Sequence, residues 1–99
     1  MKNNEVVMRA KLQISRVETP YEGAEKLTFH AVCKDGGYPS DGSDEDNSYA
    51  RWSPQADLTI VINNPALHGK FKVGEKFYVD FTSADVEQVS PVTYKEVSE

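Results

Sequence analysis

The residues with the most chemistry in this sequence are the carboxylates of one short segment. Asp41, Asp44, Glu45 and Asp46 stand close together and are followed by Asn47. Carboxylate and amide oxygens are the ligands that Ca²⁺ takes in flexible loops. The helix–loop–helix calcium motif needs ligands at alternate positions, a central glycine and a late glutamate, and this spacing does not match it. We therefore expect a solvated acidic segment and assign no cofactor, with calcium left as an alternative.

The sequence has too few cysteines and histidines for a zinc site or a disulfide. Cys33 is the single cysteine, which excludes an intramolecular disulfide and fits a reducing compartment. His30 lies three positions before it on a predicted strand, so the two side chains point to opposite faces, and His68 lies in a predicted turn. Structural zinc usually takes four Cys or His ligands. We predict no metal site and a buried cysteine.

No catalytic motif is present. The serines lack the Gly-x-Ser-x-Gly elbow of hydrolases. Gly36-Gly37 is followed by tyrosine and proline, not by the Lys-Ser or Lys-Thr of a phosphate-binding loop. The clustered carboxylates lie in a segment expected to be exposed, where burial would raise no pKa. We predict no catalytic residues and a protein that is not an enzyme.

The net charge of −5 belongs to one segment. Residues 35–50 carry five acidic residues and no basic one, and the rest of the chain balances at 11 acidic against 11 basic. No basic stripe marks a phosphate-binding face, so nucleic acid is not the expected partner. No apolar run approaches the roughly 20 residues of a membrane span. We expect no membrane association and no cleaved secretory signal.

Aromatic residues flank the acidic cluster at Tyr38, Tyr49 and Trp52. Trp and Tyr commonly anchor protein interfaces, and the neighbouring negative charge disfavours phosphate. We predict that residues 35–53, called the acidic loop below, form a partner-binding surface. The predicted contacts are Asp44, Glu45, Asp46, Tyr49 and Trp52. The alternative is a mobile, solvated connection in which Trp52 only covers the edge of the sheet. In both cases exposed charges contribute little to stability, so replacing Asp44, Glu45 and Asp46 with Ser is expected to leave the fold intact.

The elements that must position these residues are strands. Apolar and polar residues alternate strictly from Met8 to Ser15, as in a strand with one buried face. Val17 breaks the alternation, which predicts a bulge near Ser15 and Arg16. The strands are predicted at 6–18, 26–34, 57–63 and 76–82. Asn64-Pro65 and Gly69 bracket a single helical turn.

These elements predict an all-β fold, either a small antiparallel sandwich or a partly open barrel, with one short helical turn. Residues 1–84 are predicted to form a single β domain. Residues 85–99 form a C-terminal tail, in which alternation around Val92 and Tyr94 leaves a short edge strand open. The predicted core consists of Leu12, Ile14, Leu27, Phe29, Leu58, Ile60, Phe77, Val79 and Phe81.

Three segments carry a resemblance to a known family. They are Glu-Asp-Asn-Ser-Tyr-Ala-Arg-Trp-Ser-Pro at 45–54, Ile-Asn-Asn-Pro-Ala at 62–66, and the glycine-bounded strand at 69–81. Together they resemble a family of small uncharacterised tailed-bacteriophage proteins, over roughly residues 8–84. The pattern of that family includes Gly-x-x-Tyr-x-Val-Asp-Phe, and Phe77 stands at its tyrosine. The resemblance implies a phage origin and a location in the virion or the bacterial host cytoplasm, and it identifies no site.

Three hypotheses for function follow. The leading one is a non-enzymatic phage protein that binds another protein, in the form of a decoration or minor structural protein of the virion. The second is an early-expressed inhibitor that docks its acidic loop on a host or defence protein. The third is a single-strand nucleic-acid binder built on an OB-like barrel. Self-association into a homo-oligomer is left open.

Overall fold

The computed structural model describes residues 5–84, which form four strands and one short 3₁₀ turn. The strands are β1 (Val6–Glu18), β2 (Glu25–Ala31), β3 (Asp57–Ile62) and β4 (Lys76–Thr82), and the turn is Pro65–Leu67. The predicted strands agree closely with these bounds, except that β2 ends three residues earlier than expected. The predicted helical turn is present, with Pro65 at its start and the Asn64 side chain accepting the backbone N–H of Ala66 at 3.0 Å.

The strands form one sheet in the order β3-β2-β1-β4, and all neighbours are antiparallel. Strands β1 to β3 pair in sequence and β4 returns to the other side of β1, which is the Greek-key order. The sheet curls into a half-barrel. The all-β prediction is confirmed, in its partly open barrel form and not as a sandwich. The β1–β2 register shifts between Ile14 and Arg16, so the predicted bulge is confirmed.

The core lies on the concave face of the sheet. The register sets Ile14 opposite Phe29 and Leu12 opposite Phe77, which brings apolar residues of three strands together. The Phe29 and Phe77 rings meet edge to face at 6.3 Å between centroids. The buried cluster consists of Ala10, Leu12, Ile14, Leu27, Phe29 and Ile62, and the predicted core residues packed against it but only partly buried are Leu58, Phe77 and Val79.

Two predicted core residues and the cysteine are exposed. Ile60 and Phe81 are 41% and 48% exposed, although both belong to the inward alternation of their strands. Over residues 5–84 the single sheet has no second layer to cover its edge strands, so inward-facing side chains there are exposed among the described residues. Cys33 was predicted to be buried and is exposed. Because β2 ends at Ala31, strand alternation no longer fixes the direction of its side chain.

Residues 85–99 lie outside the described part of the chain, and with them the edge strand left open around Val92 and Tyr94. Strands β3 and β4 are the two edges of the sheet over the described residues. The long connection from β2 to β3 contains the acidic loop. It returns to β1 and contacts the half of that strand that β2 leaves unpaired.

Candidate functional site

Asn47 fixes the acidic loop to the sheet. Its Oδ1 accepts the backbone N–H of Lys11 at 2.8 Å, and its Nδ2 donates to the carbonyl of Val32 at 2.8 Å. The side chain of Asn47 is completely buried. Its carboxamide therefore occupies the place of a peptide group between β1 and the chain that leaves β2, at the point where the two backbones separate.

Ser48 extends this attachment by one step along β1. Its backbone N–H donates to the carbonyl of Arg9 at 2.9 Å, and its Oγ accepts the backbone N–H of Arg9 at 2.9 Å. Backbone groups of β1 that β2 no longer reaches are thus satisfied by the loop, as buried backbone groups require. The acidic loop is an integral part of the fold and not a solvated connection.

Asp44 holds the loop in shape from inside. The carboxylate of Asp44 accepts five hydrogen bonds, and Asp44 as a whole is only 3% exposed. The donors are the backbone N–H groups of Lys34, Asp46 and Asn47, the Nδ2 of Asn47 and the hydroxyl of Tyr38. Burial by itself raises the pKa of Asp44, but these donors outweigh it and hold the pKa below its usual value.

The expectation that the charge of Asp44 is exposed is therefore wrong. Its carboxylate faces inward because a short aspartate side chain can accept bonds from backbone groups two and three residues later. Replacing the three acidic residues with Ser would remove this support, so that change is not neutral for the fold. Burial and the hydrogen bond to Asp44 raise the pKa of Tyr38 to about 12, so its hydroxyl stays a donor well into the alkaline range.

Asp46 joins the loop to the convex face of the sheet. Its carboxylate lies 3.2 Å from the Nζ of Lys11 and accepts the hydroxyl of Tyr78 at 3.1 Å. The same face carries Arg9, which binds Asp80 through two hydrogen bonds of 2.7 and 2.9 Å and lies 4.4 Å from the centre of the Tyr78 ring. The hydrogen bond to Asp46 raises the pKa of Lys11, although partial burial of the amine opposes it.

The outward side of the acidic loop carries the remaining charges. The Glu45 side chain is 75% exposed and its carboxylate lies 3.8 Å from the Nζ of Lys34. Asp41 lies 4.0 Å from Arg51, and Asp35 extends into solvent 3.8 Å from the Nζ of Lys11. Basic residues from the sheet and the loop ends thus partly neutralise the acidic segment. Its field is weaker than the sequence alone indicates.

Trp52 stands on this outward side in an unusual backbone conformation. Its φ is +65°, and within residues 5–84 it is the single non-glycine residue with a positive φ. Its backbone N–H donates to the carbonyl of Gly42 at 2.7 Å, and its indole lies where a side chain at position 42 would have to be. Tyr38 packs edge to face on it at 5.8 Å between ring centroids. Half of Trp52 remains exposed.

The five predicted contact residues therefore fall into two groups. Asp44, Asp46 and Tyr49 face the protein, where Tyr49 packs against the core cluster. Glu45 and Trp52 face solvent. Composition and strand alternation predicted which segment carries the site. They could not show which of its side chains face the protein and which face solvent, because that depends on contacts with Lys11 and Tyr78, which are distant in the sequence.

Sequence reasoning missed an apolar groove on the concave face. It has a volume of about 200 Å³. Most of its lining is apolar, and Tyr49 forms part of one wall. The other lining residues are Met8, Ala10, Leu12, Gln55, Ala56, Asp57, Leu58, Val79 and Phe81. Alternation predicts these apolar residues as inward-facing, but it does not show whether a second layer covers them.

Neither a metal site nor a membrane helix is found in residues 5–84. No group of three or more His, Cys, Asp or Glu side chains there could hold a metal ion. In the same range, no helix has the length and apolar character to cross a bilayer.

Comparison of the chain with protein-family models, curated proteins and solved structures finds no match. The resemblance to small tailed-bacteriophage proteins therefore stays a prediction from the motifs at 45–54, 62–66 and 69–81.

Proposed function

We propose that this chain is a non-enzymatic protein-binding module that contacts its partner through the outward side of the acidic loop. Trp52 is the central contact, Tyr38 supports it, and Glu45 lies on the rim. The conformation of Trp52 is the observation that carries the proposal. A left-handed backbone costs a non-glycine residue about 1–2 kcal/mol, and such outliers are concentrated at functional sites.

Other contacts of the loop offset this cost and hold the indole of Trp52 in a position where half of the residue is exposed. The indole is fixed by Gly42 on one side and Tyr38 on the other. A rigid aromatic side chain loses little conformational entropy when it binds, and tryptophan is among the residues that dominate interface energies. The surface suits an apolar pocket on a partner.

The charge arrangement favours an aromatic anchor over charge mimicry. Asp46 is paired with Lys11, Glu45 with Lys34 and Asp41 with Arg51. Rim charges mainly set association rates and salt dependence. We therefore expect basic residues around the partner's pocket and place the inhibitor hypothesis, which rests on an unscreened acidic field, second.

The phage resemblance suggests where this partner is. A virion structural protein in a tailed phage is the first candidate partner, and a host or defence protein, as in the inhibitor hypothesis, is the second. The experiment is quantitative mass spectrometry of purified virions produced with the parent chain or with Trp52→Ala. We expect the parent chain at a fixed copy number per particle and Trp52→Ala reduced at least tenfold.

Tyr21→Ala is the matched control, because Tyr21 is also an exposed aromatic residue but lies in the β1–β2 turn. It should be incorporated like the parent. Absence of the parent chain from particles would remove the virion proposal. Normal incorporation of folded Trp52→Ala would instead show that the contact surface lies elsewhere.

A further inference from the structure

Strand β3 is an edge of the described sheet and has exposed side chains on both faces. Ile60 on the concave face is 41% exposed, and Val61 on the convex face is 43% exposed. Thr59 is exposed between them and Leu58. Asp57, at the first position, is the single charged residue of the strand. An edge strand with exposed β-branched residues and so little charge is a template for pairing with another strand.

The other edge strand of the described sheet, β4, differs in charge. It carries Lys76 and Asp80 among its seven residues, and Asp80 binds Arg9 through two hydrogen bonds. Tyr78 of the same strand donates its hydroxyl to Asp46 of the acidic loop. Charged side chains on an edge strand disfavour pairing with other chains. Of the two edges, β3 is therefore the one suited to a further strand.

The backbone groups of β3 alternate between β2 and the outer edge. The N–H of Ala31 donates to the carbonyl of Ala56 at 3.0 Å, just before β3 begins. Opposed residues of an antiparallel pair alternate between hydrogen-bonded and non-hydrogen-bonded positions, so every second residue from Ala56 onward directs its backbone groups to β2. Thr59 and Val61 direct theirs outward, and no hydrogen bond within residues 5–84 reaches these outward groups.

We propose that β3 pairs with β3 of a second copy of this chain, antiparallel and around a two-fold axis at Ile60. In this register Thr59 lies opposite Val61 of the partner subunit, and Val61 opposite Thr59 of the partner subunit. Both pairs use the outward backbone groups, so four N–H···O=C hydrogen bonds form. Two four-stranded sheets thereby become one sheet of eight strands.

Charge and side-chain direction both fit this register. Asp57 lies opposite Asn63 of the partner subunit, so no like charges face each other. Leu58 lies opposite Ile62 of the partner subunit, which continues the apolar concave face from one copy to the next. A two-fold interface is self-complementary, so a second copy meets these requirements without any further matching. The proposal rests on β3 and does not depend on the proposed function of the acidic loop.

The test is sedimentation velocity of the full chain across protein concentrations from about 10 µM to about 1 mM. One strand pair is a small interface compared with the roughly 1,200–2,000 Å² of stable complexes. We therefore expect a reversible dimer with a dissociation constant in the micromolar range. A parent chain that stays monomeric up to the highest concentration would overturn the proposal and leave the edge to a strand of a different protein.

Charge substitutions at the proposed axis test the register. Ile60→Lys and Ile60→Glu each place two like charges opposite each other, so each should weaken dimerisation at least tenfold. An equimolar mixture of the two variants places opposite charges there and should restore the dimer. Phe81→Lys is the matched control, because Phe81 is an inward-facing and half-exposed residue of the other edge strand. It should dimerise like the parent.

Two results would show that the interface lies elsewhere and overturn the proposal. One is a dimer that persists in Ile60→Lys or is lost equally in Phe81→Lys. The other is a mixture of the folded Lys and Glu variants that stays monomeric. Circular dichroism shows whether the variants fold.

Amide hydrogen exchange tests the same contact in the parent, so the proposal stays testable if the variants unfold. Exchange at the outward N–H groups of Thr59 and Val61 should slow by roughly fivefold between the lowest and highest concentrations, because only the monomer exposes them. Exchange rates at these two residues that do not change with concentration would exclude β3 as the interface.

Discussion

The two faces of the first half of β1 differ in what lies against them: the polar acidic loop on one face and an apolar groove on the other. Arg9 and Lys11 point to the convex face, where Asp46, Asn47 and Ser48 of the acidic loop bind their side chains or backbone. Met8, Ala10 and Leu12 point to the concave face, where an apolar groove stays partly open. Strand alternation alone separates the two sets.

This comparison shows that burial follows geometry more closely than polarity. The convex face is covered because a long loop returns to backbone groups that β2 leaves unpaired. The concave face belongs to a single curled sheet, and its edges have no second layer within residues 5–84. A polar residue, Asn47, is therefore the best-buried residue of the loop, while the apolar Phe81 is half in water.

The largest expected loss of stability is for an alanine substitution in the filled part of the concave face, compared with one in its open part. Phe29→Ala removes a ring that is 5% exposed, so we expect a loss of about 3–5 kcal/mol in the free energy of unfolding. Phe81→Ala should cost about 1–2 kcal/mol, because half of that ring is already hydrated. Urea unfolding of both variants gives the comparison. Equal losses would show that the edge of the sheet is as well covered as its centre.

The next effect tests the polar attachment on the convex face. Asn47→Ala leaves the N–H of Lys11 and the carbonyl of Val32 without their side-chain partner. Buried unsatisfied groups cost about 1–3 kcal/mol each. Because the contact with Val32 is only partly buried, we take about 1–2 kcal/mol for each of the two groups and expect a loss of about 2–4 kcal/mol in urea unfolding. Asn63→Ala, at an exposed asparagine, is the control and should stay within about 0.5 kcal/mol of the parent. Similar losses for the two variants would contradict the peptide-like role of Asn47.

The strand pattern could be predicted from the sequence because it is local. The alternation of Met8 to Ser15, the bulge marked by Val17, and Asn64-Pro65 at the 3₁₀ turn all follow from neighbouring residues. The end of β2 could not be predicted, because Val32 and Cys33 continue the apolar pattern. What ends the strand is the insertion of Asn47, which lies 15 positions away from Val32.

The candidate site was predictable as a segment but not as a surface. Composition marks residues 35–53 through their charge and Trp52. Whether a given carboxylate faces inward depends on the folded loop and on distant strands. For Asp44 the donors are backbone N–H groups of the loop, together with Tyr38 and Lys34, and for Asp46 they are Lys11 and Tyr78. Contacts with neutral donors and with distant strands produce no periodic pattern in the sequence, so the direction of these carboxylates could not be predicted from it.

The third effect is a pH dependence of stability, which we expect for the buried Asp44 but not for the exposed Glu45. The folded state holds the pKa of Asp44 below its usual value of 3.8. The stabilisation is therefore present above that pH and is lost as pH falls through the folded pKa. At pH 7, Asp44→Asn should cost about 1–3 kcal/mol because the amide cannot accept all five hydrogen bonds. The loss relative to the parent should shrink as the pH falls below 4.

Glu45→Gln is the matched change at the neighbouring carboxylate. Glu45 is exposed, so its replacement should alter the free energy of unfolding by no more than about 0.5 kcal/mol at pH 7. Chemical denaturation of the parent and both variants between pH 3 and pH 7 provides the measurement. A loss for Asp44→Asn that does not change with pH would show that the charge of Asp44 is not what stabilises the loop.

The smallest effect tests the backbone conformation on which the protein-binding proposal rests. Trp52→Ala and Trp52→Gly both remove the indole, but only glycine adopts a positive φ without a steric penalty. With φ at +65°, Trp52→Gly should be more stable than Trp52→Ala by about 1 kcal/mol. The same pair at Ser53, whose φ is not positive, should show the opposite order, because glycine there only adds conformational entropy to the unfolded chain. Thermal and urea unfolding of the four variants measure both differences. If alanine is the more stable residue at both positions, Trp52 is not held in a strained conformation, and the conformational argument for its role in binding fails.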